Sequence, residues 1–139
     1  MNQIKRTTVN PSQVHAALGL NSQANHVSGA REFVFMSGQV SLDMKGDLVG
    51  VGDAEIQTIQ AFENIDAMLK DVGASFDHVV EFVTDLVGRD SIKPFMKARK
   101  EFFNKVFPER NYPPNTLLLI DGLVQEGLLV EIKVVAALP

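Results

Sequence analysis

Between Ile56 and Val72 the apolar residues fall at helical intervals, and this run constrains the fold more tightly than anything else in the chain. Ile56, Ile59, Phe62, Ile65, Met68, Leu69 and Val72 share one stripe of an amphipathic helix of about five turns. Asp53 is placed to cap it, Glu55 suits the positive end of its dipole, and Gly73 is placed to stop it. A second helical run, through Ile92, Phe95, Met96, Phe102, Phe103 and Val106, predicts a helix within residues 90–106. Pro108, Pro113 and Pro114 then force a loop, because proline lacks the main-chain donor a helix needs.

The rest reads as strands. Ile4 to Val9 is an edge strand halted by Asn10-Pro11, and the polar stretch that follows, as far as Ser28-Gly29, reads as loop or short turn. Phe33-Val34-Phe35-Met36 predicts a buried strand ending at Ser37-Gly38-Gln39; Val40 to Asp43 extends it, and Lys45-Gly46-Asp47 makes a hairpin turn. Val79 to Val87, Thr116 to Ile120 and Leu128 to Ala136 complete the set. Two helices on one face of a mixed sheet is an α+β fold, expected here as one domain over residues 1–139. The last strand sends Leu128, Val130, Ile132, Val134 and Ala136 to one side, and Leu129, Glu131, Lys133 and Val135 to the other. The second side is still partly apolar, as a surface between subunits would be, so an oligomer is expected.

Composition removes several function classes. The 139 residues are 45% hydrophobic and 22% charged, which excludes a disordered chain. There is no cysteine, so disulfides, thiolate metal sites and a cysteine nucleophile are excluded. A net charge of −4 speaks against a surface built for nucleic acid. No apolar run reaches the roughly 18 residues of a membrane span, and the N-terminus lacks the apolar core of a signal peptide, so a cytoplasmic address is expected.

Local motifs are few. Gly50-Val51-Gly52 lacks the third glycine of a phosphate cradle, and Asp53 and Glu55 would repel an anion. His15, His26 and His78 show no metal-ligand spacing, and no metal is expected. Ser37-Gly38 lacks the preceding glycine of a nucleophile elbow. Lys93, Lys97 and Lys100 share a helix face that reads as solvated, because no aromatic residue interleaves with them. Arg99 sits in the middle of an apolar stripe, where a guanidinium snorkels out, pairs with a carboxylate, or points at a ligand; the first two are the simpler readings. Glu131 stands on the two-sided strand. Buried at an interface it would gain general acid–base character, whereas the plainer reading is a salt bridge across the sheet.

A longer series of residues resembles a known family. Phe33 to Gln39, Gln57-Thr58, Ala61 to Ile65, Gly73-Ala74-Ser75, Val79-Val80, Glu101-Phe102-Phe103, Pro114, Leu123 and Val130-Glu131-Ile132 match, in order and spacing, the RidA/YjgF family of reactive intermediate deaminases over about residues 14–137. The resemblance implies a chorismate-mutase-like fold and a homotrimer, with small-molecule clefts between subunits. It also implies hydrolysis of enamines and imines to keto acids and ammonia without a cofactor. On the same ground Ser37, Gly38 and Gln39 line the cleft, and Glu131 positions or activates water. The family arginine that grips the substrate carboxylate is replaced by Asn115, the family tyrosine by Asn21, and a frequent cysteine by Leu117. An amide cannot supply a bidentate charged clamp, so a less anionic metabolite is expected, unless Arg99 reaches the cleft and takes the clamp's place. A trimer that binds a small molecule or a protein without catalysis is the alternative. Neither membrane nor nucleic acid is an expected partner, and no constellation supports RNA cleavage.

Overall fold

The computed structural model describes residues 3–139. Five strands form a mixed sheet: β3 (Glu32–Phe35), β4 (Gln39–Val40), β5 (Val79–Val87), β6 (Asn115–Ile120) and β7 (Val130–Leu138). The order is β3-β7-β5-β6, with β4 also pairing β7. Only β5 and β6 run parallel, and the helix between them supplies the crossover that a parallel pair requires. Two helices, α1 (Ala54–Asp71) and α2 (Ile92–Val106), lie within the predicted spans. Asp53 caps α1 by accepting the Ile56 N–H at 3.0 Å, and Gly73 leaves the helix at φ +73°, a conformation that suits glycine. Among the described residues no helix is long and apolar enough to cross a membrane.

The core lies between the helices and one face of the sheet. Val130, Ile132, Val134 and Ala136 of β7 and Phe82 and Leu86 of β5 are buried there against Phe62, Ile65 and Leu69 of α1 and Phe95 and Phe103 of α2. Phe62 stacks on Phe102 with ring centroids 4.6 Å apart, and Phe76, Phe103 and Phe107 pack around this pair. The buried face of α1 is not quite the predicted stripe. Ala54, Gln57, Thr58 and Ala61 complete it, while Ile56, Ile59, Met68 and Val72 are partly exposed. The period was legible; the phase depends on which side meets the sheet.

Two further differences bear on function. The stretch before Ser28 contains a strand, β2 (Ala24–Ser28), which pairs antiparallel with β1 (Lys5–Val9) in a separate ribbon. Its sequence, Ala-Asn-His-Val-Ser, has no apolar run; tertiary contacts hold it. Asn25 donates to the Val80 carbonyl at 2.9 Å, and Arg6 donates to the Asp77 and Val79 carbonyls at 2.7 and 2.6 Å. The strand predicted as buried at residues 33–36 forms, but Phe33 and Phe35 are 54% and 76% exposed. Phe35 aligns with Val135, which places both on the face away from the helices. Among the described residues neither helix covers that face, which also carries Glu131, Lys133, Val83, Asp85 and Leu118, while β2 flanks its Phe35–Val135 end through Ala24, Asn25 and Val27.

Candidate functional site

The expected site residues fall into two groups. The first lies where β3 gives way to β4. Val40 pairs with Glu131 across the sheet, so the Ser37-Gly38-Gln39 turn runs beside the Glu131 side chain. A Cβ on Gly38 would stand 2.5 Å from Glu131 Oε1 and 2.6 Å from its Cδ, so only glycine lets the carboxylate lie against the main chain here. The Gln39 side-chain amide donates to the Ser37 carbonyl at 3.0 Å and closes the turn. A cleft of about 370 Å³ opens beside it, lined by Gly38, Gln39, Val40, Asn64 and Met68. Asn64 holds that wall by donating to the Val40 and Leu42 carbonyls at 3.0 and 3.1 Å. The expected cross-sheet salt bridge is not made: the ion pairs among the described residues are Lys70–Asp66 and Lys97–Glu55, and Lys133 does not reach Glu131. Asp85 of β5 instead stands directly across from Glu131, a second carboxylate on the same face.

The second group lies at the start of β6. Asn115, Asn21, His15, Leu18 and Gln23 line a cavity of about 270 Å³. Buried Thr84 donates its hydroxyl to Asn115 Oδ1 at 2.8 Å, which fixes the amide; among the described residues its NH2 has no acceptor. The Asn21 NH2 is engaged locally on the Leu18 carbonyl at 3.1 Å. Gln23 binds the His15 carbonyl at 2.7 Å and ties the two sides of the loop together. Sequence reasoning passed over Thr84 and Gln23. The hydroxyl in an apolar strand was a signal, since a buried polar group needs a partner, but the partner lies on another strand.

Within one chain these groups do not meet. Asn115 aligns with Phe82 and binds Thr84, both on the helix-covered face, whereas Glu131 belongs to the open face. Two strand spacings across and three residues along separate them, roughly 14 Å between Cα positions.

Arg99 fits neither of the simpler expectations for it. It is 3% exposed, so it does not snorkel out, and among the described residues no carboxylate pairs with it. The guanidinium lies 5.3 Å from the Phe95 ring centroid and 5.9 Å from that of Phe103, with Nη2 donating to Met96 Sδ at 2.9 Å. Its Nε has no hydrogen-bond partner among the described residues. Burial pulls its pKa below the usual arginine value, an effect that Tyr112 opposes. His78, by contrast, caps a short helical turn, accepting the Ser75 N–H at 3.0 Å.

The family model described as Endoribonuclease L-PSP matches residues 14–138. Over 87% of its length the chain is 33% identical to AldR of Lactococcus lactis, a candidate regulator, covering 89% of that protein. It is 32% identical to the 2-iminobutanoate/2-iminopropanoate deaminase of Bos taurus, across 79% of this chain and 78% of that one. Among solved structures, YyfB of Yersinia pestis, a Rid-family protein of unknown function, superposes with a TM-score of 0.83 at 25% identity, spanning 99% of this chain and 100% of the other.

Proposed function

The chain belongs to the endoribonuclease L-PSP family, that of the RidA/YjgF proteins, and from that premise we propose that it is a homotrimeric hydrolase of imine or enamine C–N bonds. Each active site is built between two subunits, each chain contributing residues 1–139 as one domain. The observation that carries this reading is the Glu131 carboxylate, laid against Gly38 and in no ion pair among the described residues, on the sheet face turned away from the helices. The kinship with a deaminase of imino acids supports it.

The chemistry follows from the groups present. Glu131 accepts a proton from water as the oxygen attacks the imine carbon, forming a carbinolamine. An enamine first tautomerises to its imine. The proton passes to nitrogen, the C–N bond breaks, and ammonia leaves with a carbonyl compound as the other product. In sum, one imine and one water give one carbonyl compound and one ammonia. Gly38 and the Ser37 carbonyl wall the reacting carbon. Asn115 and Asn21 of the adjoining subunit hold the substrate's polar end, with the Asn115 NH2 as donor. These side chains supply the proton transfer and orientation that the reaction needs, with no metal or organic cofactor.

The test is the rate of keto-acid release from imino acids generated in situ by an amino-acid oxidase, measured above the uncatalysed rate. The wild-type protein accelerates release, and Glu131→Gln lowers the excess rate at least about 100-fold while the assembly stays intact. An unchanged rate in Glu131→Gln removes Glu131 from the mechanism. The kinship with AldR and the uncharged Asn115 favour a second reading, a trimer that binds its ligand without turnover. Saturable binding with no acceleration by the folded wild-type protein would establish it in place of the first.

A further inference from the structure

Two carboxylates face one another on the reacting side of the proposed site, and among the described residues nothing balances them. Glu131 of β7 is flanked by Val40 of β4 on one side and by Asp85 of β5 on the other. Its carboxylate leans toward β4, where it meets Gly38. Asp85 stands directly across the β5–β7 pair, with Cβ atoms about 5 Å apart, and both residues are half-buried. Like charges placed opposite one another in this way destabilise a sheet. The cation nearest in register, Lys133, stands across from Val83 and makes no ion pair among the described residues, while Glu81 adds a further carboxylate to the same face. Neither the cleft beside Gly38 nor the cavity at Asn115 has a lysine or arginine in its lining, so Arg99 is absent from both. The charge of the site is therefore opposite to that of a carboxylate grip.

We propose that Asp85 is the specificity-determining carboxylate of this site and that the substrate is a cationic imine without a carboxylate group. Asp85, on a proposal that rests on the reading of Glu131 as the base of an imine hydrolase, accepts a hydrogen bond from the iminium nitrogen. Glu131 is then left to take the proton of water. An imine held as its cation is the stronger electrophile, and a fixed negative charge beside the nitrogen keeps it so. Water adds to the carbon, and its proton passes through Glu131 to the nitrogen. The C–N bond then breaks as the hydroxyl proton leaves. In sum, one iminium and one water give one carbonyl compound and one ammonium ion. The Asn115 NH2, a neutral donor, suits an uncharged oxygen elsewhere on the substrate. A carboxylate on the imine carbon would lie close to Glu131 and Asp85, so the charges that attract an iminium repel a 2-imino acid.

Propionamidine, a planar amidinium that mimics the iminium, is the probe, and propionate, of the same shape and opposite charge, is the control. Titration calorimetry of the assembled wild-type protein should show saturable binding of propionamidine and at least tenfold weaker binding of propionate. Asp85→Asn should weaken propionamidine binding at least tenfold. The same variant should melt no lower than the wild type, because it removes one of two opposed charges. Equal binding of the two probes, preference for propionate, no binding of propionamidine, or unchanged binding in Asp85→Asn would each overturn the inference. A marked fall in the melting temperature of Asp85→Asn would also overturn it, since Asp85 would then serve the assembly as a structural partner. Turnover is read separately in Glu131→Gln. Propionamidine binding through Asp85 with Glu131-independent turnover defeats only the hydrolase reading, and Glu131-dependent turnover with propionate preferred defeats only this one.

Discussion

A carboxylate that rests on a glycine can be moved by one methyl group. Gly38 has no positive φ, so alanine is conformationally allowed there, and the three atoms nearest the new methyl would be Oε1, Cδ and Cγ of Glu131. Those atoms end a flexible side chain, so the chain should fold and Glu131 should swing away. Gly38→Ala is expected to change stability by less than about 1 kcal/mol, and to lower turnover about 100-fold, the usual consequence of an ångström of misplacement. Thermal unfolding and keto-acid release together check this. Adding Gly38→Ala to Glu131→Gln should cost little more, because both changes disable one group. Residue chemistry of this kind was only partly legible. The Ser37-Gly38-Gln39 motif and Glu131 could be picked out from the family pattern, but their contact depends on the β4–β7 register. Arg99 was visible as an anomaly in an apolar stripe; that no carboxylate answers it depends on which loop folds over α2.

At the scale of elements, α1 does more than fill the core. Gln57, fully buried, donates through Nε2 to the Gly50 and Gly127 carbonyls, both at 3.0 Å, and accepts the Leu129 N–H at 2.8 Å. One side chain thus ties the loop before α1 to the segment that leads into β7 and Glu131. Gln57→Leu keeps the volume and leaves three main-chain groups without their partner, at a cost of roughly 2–4 kcal/mol. The melting temperature should then fall by about 10 °C with the helical circular dichroism retained. A shift of a degree or less would mean that water replaces Gln57 at all three groups. Glutamine in a helical stripe gives no hint of this from sequence, because spacing reports which face is buried and not what it binds. The same limit hid β2. Strands β5 and β7 announce themselves through β-branched alternation, whereas Ala24–Ser28 is extended only because Lys5–Val9 and Val80 bind it.

At the scale of the whole molecule, the alternation along β7 was enough to predict a second, partly apolar sheet face. It could not show that the two halves of the expected site stand on opposite faces, because that follows from the alignment of Asn115 with Phe82. The opposition yields the most direct test of the assembly. If Glu131 of one subunit works with Asn115 of the next, Glu131→Gln and Asn115→Ala destroy different halves of each site. Neither variant alone retains an intact site. When the two are co-expressed in equal amounts, a site is whole only where an Asn115→Ala chain supplies Glu131 and a Glu131→Gln chain supplies Asn115. Random assembly makes about one site in four whole, since both chains must be of the right kind. Co-expression should therefore restore about a quarter of the wild-type turnover, while mixing the two preformed assemblies without subunit exchange should restore none. A site contained in one chain would give no recovery in either case, and sedimentation of the same samples would show whether mixed trimers had formed.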